Sequence, residues 1–318
     1  MIRRILVPLD GSALAEQALP HALALAAAFE SEVILLRVMA APTSAPVNSV
    51  DWRLRKLETE RYLEEVGARL KMGSARRLVA TGNAAEQILA AVEKHEVDLL
   101  VLCRHGEGGP TEFHLSGTAS KLVGSAGCSV LLVTPSASAP AVVGPARYGK
   151  VLIPVDCSKR AEWAVCLATA LARAAGAEVV LAHVVPSPEL VEPASADATA
   201  VQLARDLRQA NRAAARAYLD ALVARIRAPG LSARCRISEN EHVGPMLLRV
   251  AAEEAASLVV LSAHGHAPAL GVSYGSIASA LIADATVPVL IFQDSPAARG
   301  HASASARAAA QPAAGAGR

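Results

Sequence analysis

A chain of 318 residues is long enough for two ordinary domains, and its 53% hydrophobic, 19% charged and 3% aromatic residues describe a globular protein with cores of Ala, Val and Leu. With 31 basic and 29 acidic residues the formal net charge is +2, which excludes a general electrostatic pull toward nucleic acid or anionic lipid. The scattered cysteines Cys103, Cys128, Cys157, Cys166 and Cys235 form no CxxC pair, which argues against a disulfide framework or a zinc site; reduced, mostly packed thiols are expected.

From the N-terminus, MIRRILVPLD passes from two arginines straight into a strand-like run and does not read as a signal peptide. ALPHALALAAAFE carries a histidine between acidic residues and falls short of a membrane span, so a cytoplasmic protein with no membrane partner is expected. Strands are predicted at residues 4–9, 33–38, 77–80, 99–103 and 130–133, alternating with Ala- and Leu-rich helical stretches, the pattern of βαβ units. The same order then returns, with strands predicted at 150–155, 179–184, 233–237, 258–262 and 287–292.

The return is a repeat of the sequence itself. RRILVPLDGSALAEQAL answers to GKVLIPVDCSKRAEWAV, and EVILLRV to EVVLAHV. ILAAVEKHEVDLLVLCRHG at 88–106 aligns without a gap to LLRVAAEEAASLVVLSAHG at 247–265, and GTASKLVGSAGCSVLLV answers to GSIASALIADATVPVLIF. A repeat this long means two copies of one domain, here 1–135 and 149–294, with a Pro-, Ala- and Ser-rich linker at 136–148 and a tail at 295–318 expected to be disordered. Runs such as LLVLC and LVVLS suit parallel strands covered on both faces, so each copy is read as an open doubly wound α/β sheet. Pro-containing excursions at 40–50 and 186–200 are placed over the sheet's mouth.

Such sheets bind ligands beyond the carboxyl ends of their strands. After the first strand stand Asp10 in PLDGS and Asp156 in PVDCS, followed by Ser12 and Ser158. Two readings stay open: a carboxylate that accepts hydrogen bonds from a nucleoside, or a pair that only caps the next helix. After the fourth strand, Gly265 is followed by nine residues and then Gly275-Ser276, and Gly106 by ten residues and then Gly117-Thr118. Glycine there lets the backbone approach an anion, and a helix start offers free N–H groups and a positive dipole end.

These residues resemble the universal stress protein family in its tandem form, over nearly all of 2–292. The resemblance implies a Rossmann-like five-stranded parallel sheet of order 3-2-1-4-5 in each copy, flanked by helices. It also implies ATP or another adenine nucleotide as ligand, with Mg²⁺ as a companion ion, and a role in stress response. Carried over by position, Asp156 and Val184 would contact adenosine while Ser262, Gly265, Gly275 and Ser276 form the phosphate loop. In the first copy the equivalents are Asp10, Val38, Cys103, Gly106, Gly117 and Thr118. The family's domain pairing would join SVLLV to PVLIF within one chain, leaving homodimerisation open.

Both copies depart from the family pattern G-x2-G-x9-G-[ST]. Cys103 and Ser262 replace the first glycine, and the first copy carries one residue more before Gly117, so the second copy ranks as the nucleotide site. The competing reading is a scaffold that has lost its nucleotide. Dedicated catalysis is not expected, because AHGH has the wrong histidine spacing for nucleotidyl transfer and neither SGGxDS nor GxxxxGK[ST] occurs; slow ATP hydrolysis is compatible with the pattern. Arg205, Arg208, Arg212 and Arg216 read as a solvated helix face, His105 and His264 as matched loop histidines, and Cys103 as a packed thiol.

Overall fold

In the computed structural model, the structure describes residues 2–41, 49–71, 75–106, 115–135, 144–186, 198–227, 230–265 and 274–293. The predicted tail, and most of the linker and of both mouth excursions, lie outside these residues. The first repeat contains β1 (Arg4–Pro8), α1 (Ala13–Glu16), α2 (Ala18–Phe29), β2 (Glu32–Met39), α3 (Ser49–Arg69), β3 (Arg76–Thr81), α4 (Ala84–Lys94), β4 (Leu99–Cys103), α5 (Gly117–Ser125) and β5 (Ser129–Val133). The second contains β6 (Lys150–Pro154), α6 (Lys159–Ala175), β7 (Glu178–Val185), α7 (Ala198–Ile226), β8 (Ala233–Glu239), α8 (Val243–Glu253), β9 (Leu258–Ser262), α9 (Ser276–Asp284) and β10 (Val289–Phe292).

Alternation along the strands sorts side chains into two layers. Ile5, Val7, Leu35, Leu99 and Val101 face one core, and Leu6, Ile34, Leu36, Leu100 and Leu102 the other. Helices α2, α3, α6 and α7 contribute to the first layer and α4, α5, α8 and α9 to the second, so both faces of the sheet are covered.

Each repeat has the expected strand order, and its sheet joins the other through the last strands, SVLLV against PVLIF. Among the described residues the strands form one ten-stranded sheet, β3-β2-β1-β4-β5-β10-β9-β6-β7-β8. All pairings within a repeat are parallel, and β5 meets β10 antiparallel. Leu131 pairs with Leu290 at the centre of this seam. Both core layers contain residues from both repeats, so the seam removes two exposed edges and joins two cores at once. Beyond the seam, α2 packs on α6, and the end of the linker is pinned to α2 by Ala146 N–H donating to Pro20 O at 2.7 Å. His21 Nδ1 lies 2.8 Å from Tyr148 Oη at the same place.

Candidate functional site

The mouth of the first repeat opens where β1 and β4 diverge. Asp10 Oδ1 accepts from Ser12 N–H at 2.9 Å, and Ser12 Oγ accepts from Ala15 N–H at 3.1 Å, so the DGS turn holds the carboxylate at the strand end while capping α1. The other oxygen, Oδ2, lies against Gly106. A side chain at Gly106 would overlap it, which gives a physical reason for glycine at that position. The second repeat repeats the arrangement: Asp156 Oδ1 accepts from Ser158 N–H at 3.0 Å, Ser158 caps α6, and Oδ2 lies against Gly265. In both repeats one carboxylate oxygen holds the turn and the other lies against the glycine that follows the fourth strand.

A cavity of about 240 Å³ occupies this mouth in the first repeat. Asp10, Val38, Cys103, Gly106 and Thr118 line it, together with Ser116, His105 and the apolar side chains of Leu36, Ala84 and Ile88. Gly117, the first residue of α5, is not among its lining residues. Cys103 is 8% exposed and its thiol points to Ala15 O at 3.9 Å; burial pushes its pKa up to about 12, so it is a packed, protonated thiol as expected. His105 Nδ1 is buried in the wall with no hydrogen-bond partner among the described residues, and burial, with the Arg104 charge adding to it, lowers the imidazole's pKa.

Backbone hydrogen bonds correct the loop alignment. Ser116 N–H donates to Arg104 O at 2.9 Å where Gly275 N–H donates to Ala263 O at 2.8 Å, and Ser120 and Ser279 then close the first turns onto Ser116 and Gly275. Ser116 is thus the counterpart of Gly275 and Gly117 that of Ser276. Nine residues separate glycine from this position in both copies, so the first copy has no extra residue. The two helix starts differ in chemistry: Ser116 Oγ caps α5 by accepting from Ala119 N–H at 3.1 Å, whereas α9 starts at Gly275 without a side-chain cap.

The second mouth is built from larger pieces. Val243 stands where the first repeat has Ala84, and Ile277 where it has Thr118; both pack against the core layer beneath. At the start of α8, Gly244 lets that helix close on α9, since a Cβ there would lie 2.9 Å from Ala280 Cβ. Val184 is 5% exposed, while its counterpart Val38 is only partly buried. Ser262 turns its hydroxyl to His264 O at 2.8 Å, within its own loop. Cys157 holds φ at +64° where Gly11 has +90°, a left-handed conformation that a side chain disfavours.

Arg104, which sequence reading did not single out, leaves the first mouth and crosses the seam. Its guanidinium donates to Ile282 O, to Ala283 O at 3.1 Å and to Leu281 O at 3.4 Å, capping the C-terminus of α9, and Nε donates to Thr134 Oγ1 at 3.0 Å. A planar cation at a helix C-terminus satisfies carbonyls and opposes the dipole together. Alignment of Arg104 with Ala263 was the available signal. The arginines of α7 sit mainly on the exposed face, Arg212 paired with Glu239 at 2.6 Å and Arg216 with Asp220 at 2.8 Å.

A doubly wound α/β chain written twice, with its candidate sites at the strand ends, is the class this geometry defines. The family model described as the universal stress protein family matches residues 1–134 and 147–293, and the chain belongs to that family. Universal stress proteins of Mycobacterium tuberculosis H37Rv and of Mycobacterium bovis are each 28% identical over 234 residues, covering 73% of this chain and 73% of theirs. A universal stress protein from Archaeoglobus fulgidus superposes with a TM-score of 0.63 at 18% identity, covering 91% of this chain and 98% of that one. A putative universal stress protein from Pseudomonas aeruginosa gives 0.63 at 21% identity, covering 96% and 98%. These structures show the shared fold. No described helix is long and apolar enough to cross a membrane.

Proposed function

We propose that this tandem universal stress protein is a stress-response regulator that binds an adenine nucleotide in its first repeat, while the second serves as a closed scaffold. The observation that carries this reading is the cavity bounded by Asp10, Val38, Gly106 and Thr118. It reverses the ranking that loop spacing suggested, since the apparent insertion before Gly117 is a matter of alignment. Its volume of about 240 Å³ is below the roughly 300–1,000 Å³ of pockets that engulf a whole ligand, which suits a nucleoside part with phosphates directed toward the start of α5. Asp10 Oδ2 is placed to accept from ribose hydroxyls, and the first N–H groups of α5 to meet phosphate oxygens. At the corresponding positions the second repeat carries the larger Val243 and Ile277, which supports assigning the ligand to the first repeat.

The test is thermal denaturation and equilibrium dialysis with ATP and magnesium, comparing wild type with Thr118→Ile and Ile277→Thr. The first variant gives the open repeat the second repeat's residue and is expected to weaken binding at least ~10-fold, while Ile277→Thr leaves it unchanged. Absence of any melting shift at millimolar ATP, or loss of binding only on changes in the second repeat, overturns the proposal.

A further inference from the structure

Equivalent helix faces in the two repeats are covered to different degrees. Helices α2 and α6 are counterparts, and Gln17, Ala24 and Ala28 of the first align with Trp163, Ala170 and Ala174 of the second. Their spacing keeps each set on one face. The three on α2 are half-buried, whereas the three on α6 are exposed, Trp163 by 62%.

The cover on α2 is the end of the linker. Ala146 N–H donates to Pro20 O at 2.7 Å, and Gly144 to Arg147 share with Ala24 and Ala28 the wall of a cavity of about 420 Å³. Cys166 is the counterpart of Pro20, and no described backbone N–H outside α6 donates to its carbonyl. An indole gains more from such a cover than the aligned Gln17 does, because Trp carries a large apolar area.

We propose that the tail beyond Gln293 lies across this face of α6 as the linker lies across α2. The occupant follows from where each segment leaves the sheet. The β5–β10 pairing is symmetric about Leu131 and Leu290, which puts Thr134 and Gln293 at matching points. Thr134 Oγ1 donates to Ala285 O at 3.3 Å ahead of β10, and Gln293 N–H donates to Ser129 Oγ at 3.2 Å at the start of β5. Helix α6 packs on β9, the neighbour of β10, and its first turns stand at the carboxyl ends of these strands, where Gln293 emerges. Twelve residues carry the chain from Thr134 to Ala146, and residues 294–318 provide twice that length.

Composition agrees with this seat. Pro296-Ala297-Ala298-Arg299 resembles the seated Pro145-Ala146-Arg147, small residues with a proline that restricts the backbone. Arg299 and Arg307 supply cations for the indole face. The other exposed apolar groups suit the tail less well. Val50, Leu54 and Leu57 of α3 follow the carboxyl end of β2, the end of the sheet opposite to Ser129, and Leu203 and Leu207 of α7 stand among Arg205, Arg208 and Arg212, which repel the tail's arginines.

Acrylamide quenching tests this in Trp52→Phe, where Trp163 is the one indole left. The full chain is compared with the same chain ended at Gln293, with circular dichroism to show that both are folded. Removing the tail should raise the quenching constant by ~2-fold or more and shift emission to the red, as an uncovered indole requires. A peptide of residues 294–318 at millimolar concentration, the level a tether supplies, should reverse both changes. Trypsin should cut after Arg299 ~3-fold or more faster in Trp163→Ser than in wild type, since the tail loses its hold. Equal quenching with and without the tail, or equal cleavage in the two chains, overturns the proposal. So does shielding of Trp163 that grows with protein concentration, which would mean that a second copy covers it.

Discussion

Arg104 in the first repeat donates to the backbone carbonyl of Ala283 in the second, so one side chain beside the candidate cavity also ends the helix that lines the other mouth. Replacing it with methionine keeps much of the volume and leaves buried carbonyls of α9 without donors. The expected loss is about 2–3 kcal/mol of unfolding free energy, read from urea titration. Arg104→Lys is expected to recover less than half of it, because an ammonium cannot span Leu281, Ala283 and Thr134 as a planar fork does. Full recovery by lysine would show that charge alone matters at this position.

Gly106 and Gly117 separate two roles that sequence spacing merges. A methyl at Gly106 meets Asp10 Oδ2, whereas one at Gly117 has nothing within 4 Å. Gly106→Ala is therefore expected to displace the carboxylate and reduce nucleotide affinity by ~10-fold or more, with Gly117→Ala within ~2-fold of wild type. Dialysis with labelled ATP distinguishes them, and equal effects would refute the assignment of Asp10.

Most of the fold is legible in the sequence because each strand is a compact apolar run and the repeat tests every assignment twice. Edges moved for local reasons: β10 begins at Val289 rather than 287 because Pro288 offers no N–H to the ladder. The slip at Gly117 has a different cause. Matching glycine to glycine pulls the alignment one residue off the hydrogen-bond register, in which Ser116 is the N-cap and Gly117 the first turn. The lining of the cavity was not legible, since it depends on side chains from β2, α4 and α5 meeting in space; Ala84 against Val243 gains its meaning only once that meeting is seen.

Cys157 and Gly11 make a stability prediction for the second repeat. With φ at +64°, Cys157→Gly is expected to raise stability by about 1 kcal/mol and to raise the melting temperature correspondingly. An unchanged or lowered melting temperature would mean that the Cys157 side chain contributes contacts outweighing the backbone cost.

His21 and Glu254 set two separate acid windows. Burial holds His21 at about 4 against 6.5, so the unfolded state takes up a proton first; this contribution is intact above pH 6.5 and declines toward pH 4 by about 2–3 kcal/mol. Glu254, held at about 2 by Arg234, Arg236 and Lys150, keeps its stabilisation above its ordinary 4.5 and loses it as pH falls toward 2. Urea titrations from pH 7 to 4 should show the first decline abolished in His21→Gln. An unchanged decline would assign it to another group.

The antiparallel seam at Leu131 and Leu290 has one more consequence. If two identical chains met through this strand, any residue added on one side would appear on the other, and an arginine that suited one crossing would be imposed on both. Covalent fusion lifts that symmetry. Arg104 faces its helix end while Ala263 occupies the matching position, so each side of the junction can change without its mirror image following. The two halves of the seam are then free to carry different side chains.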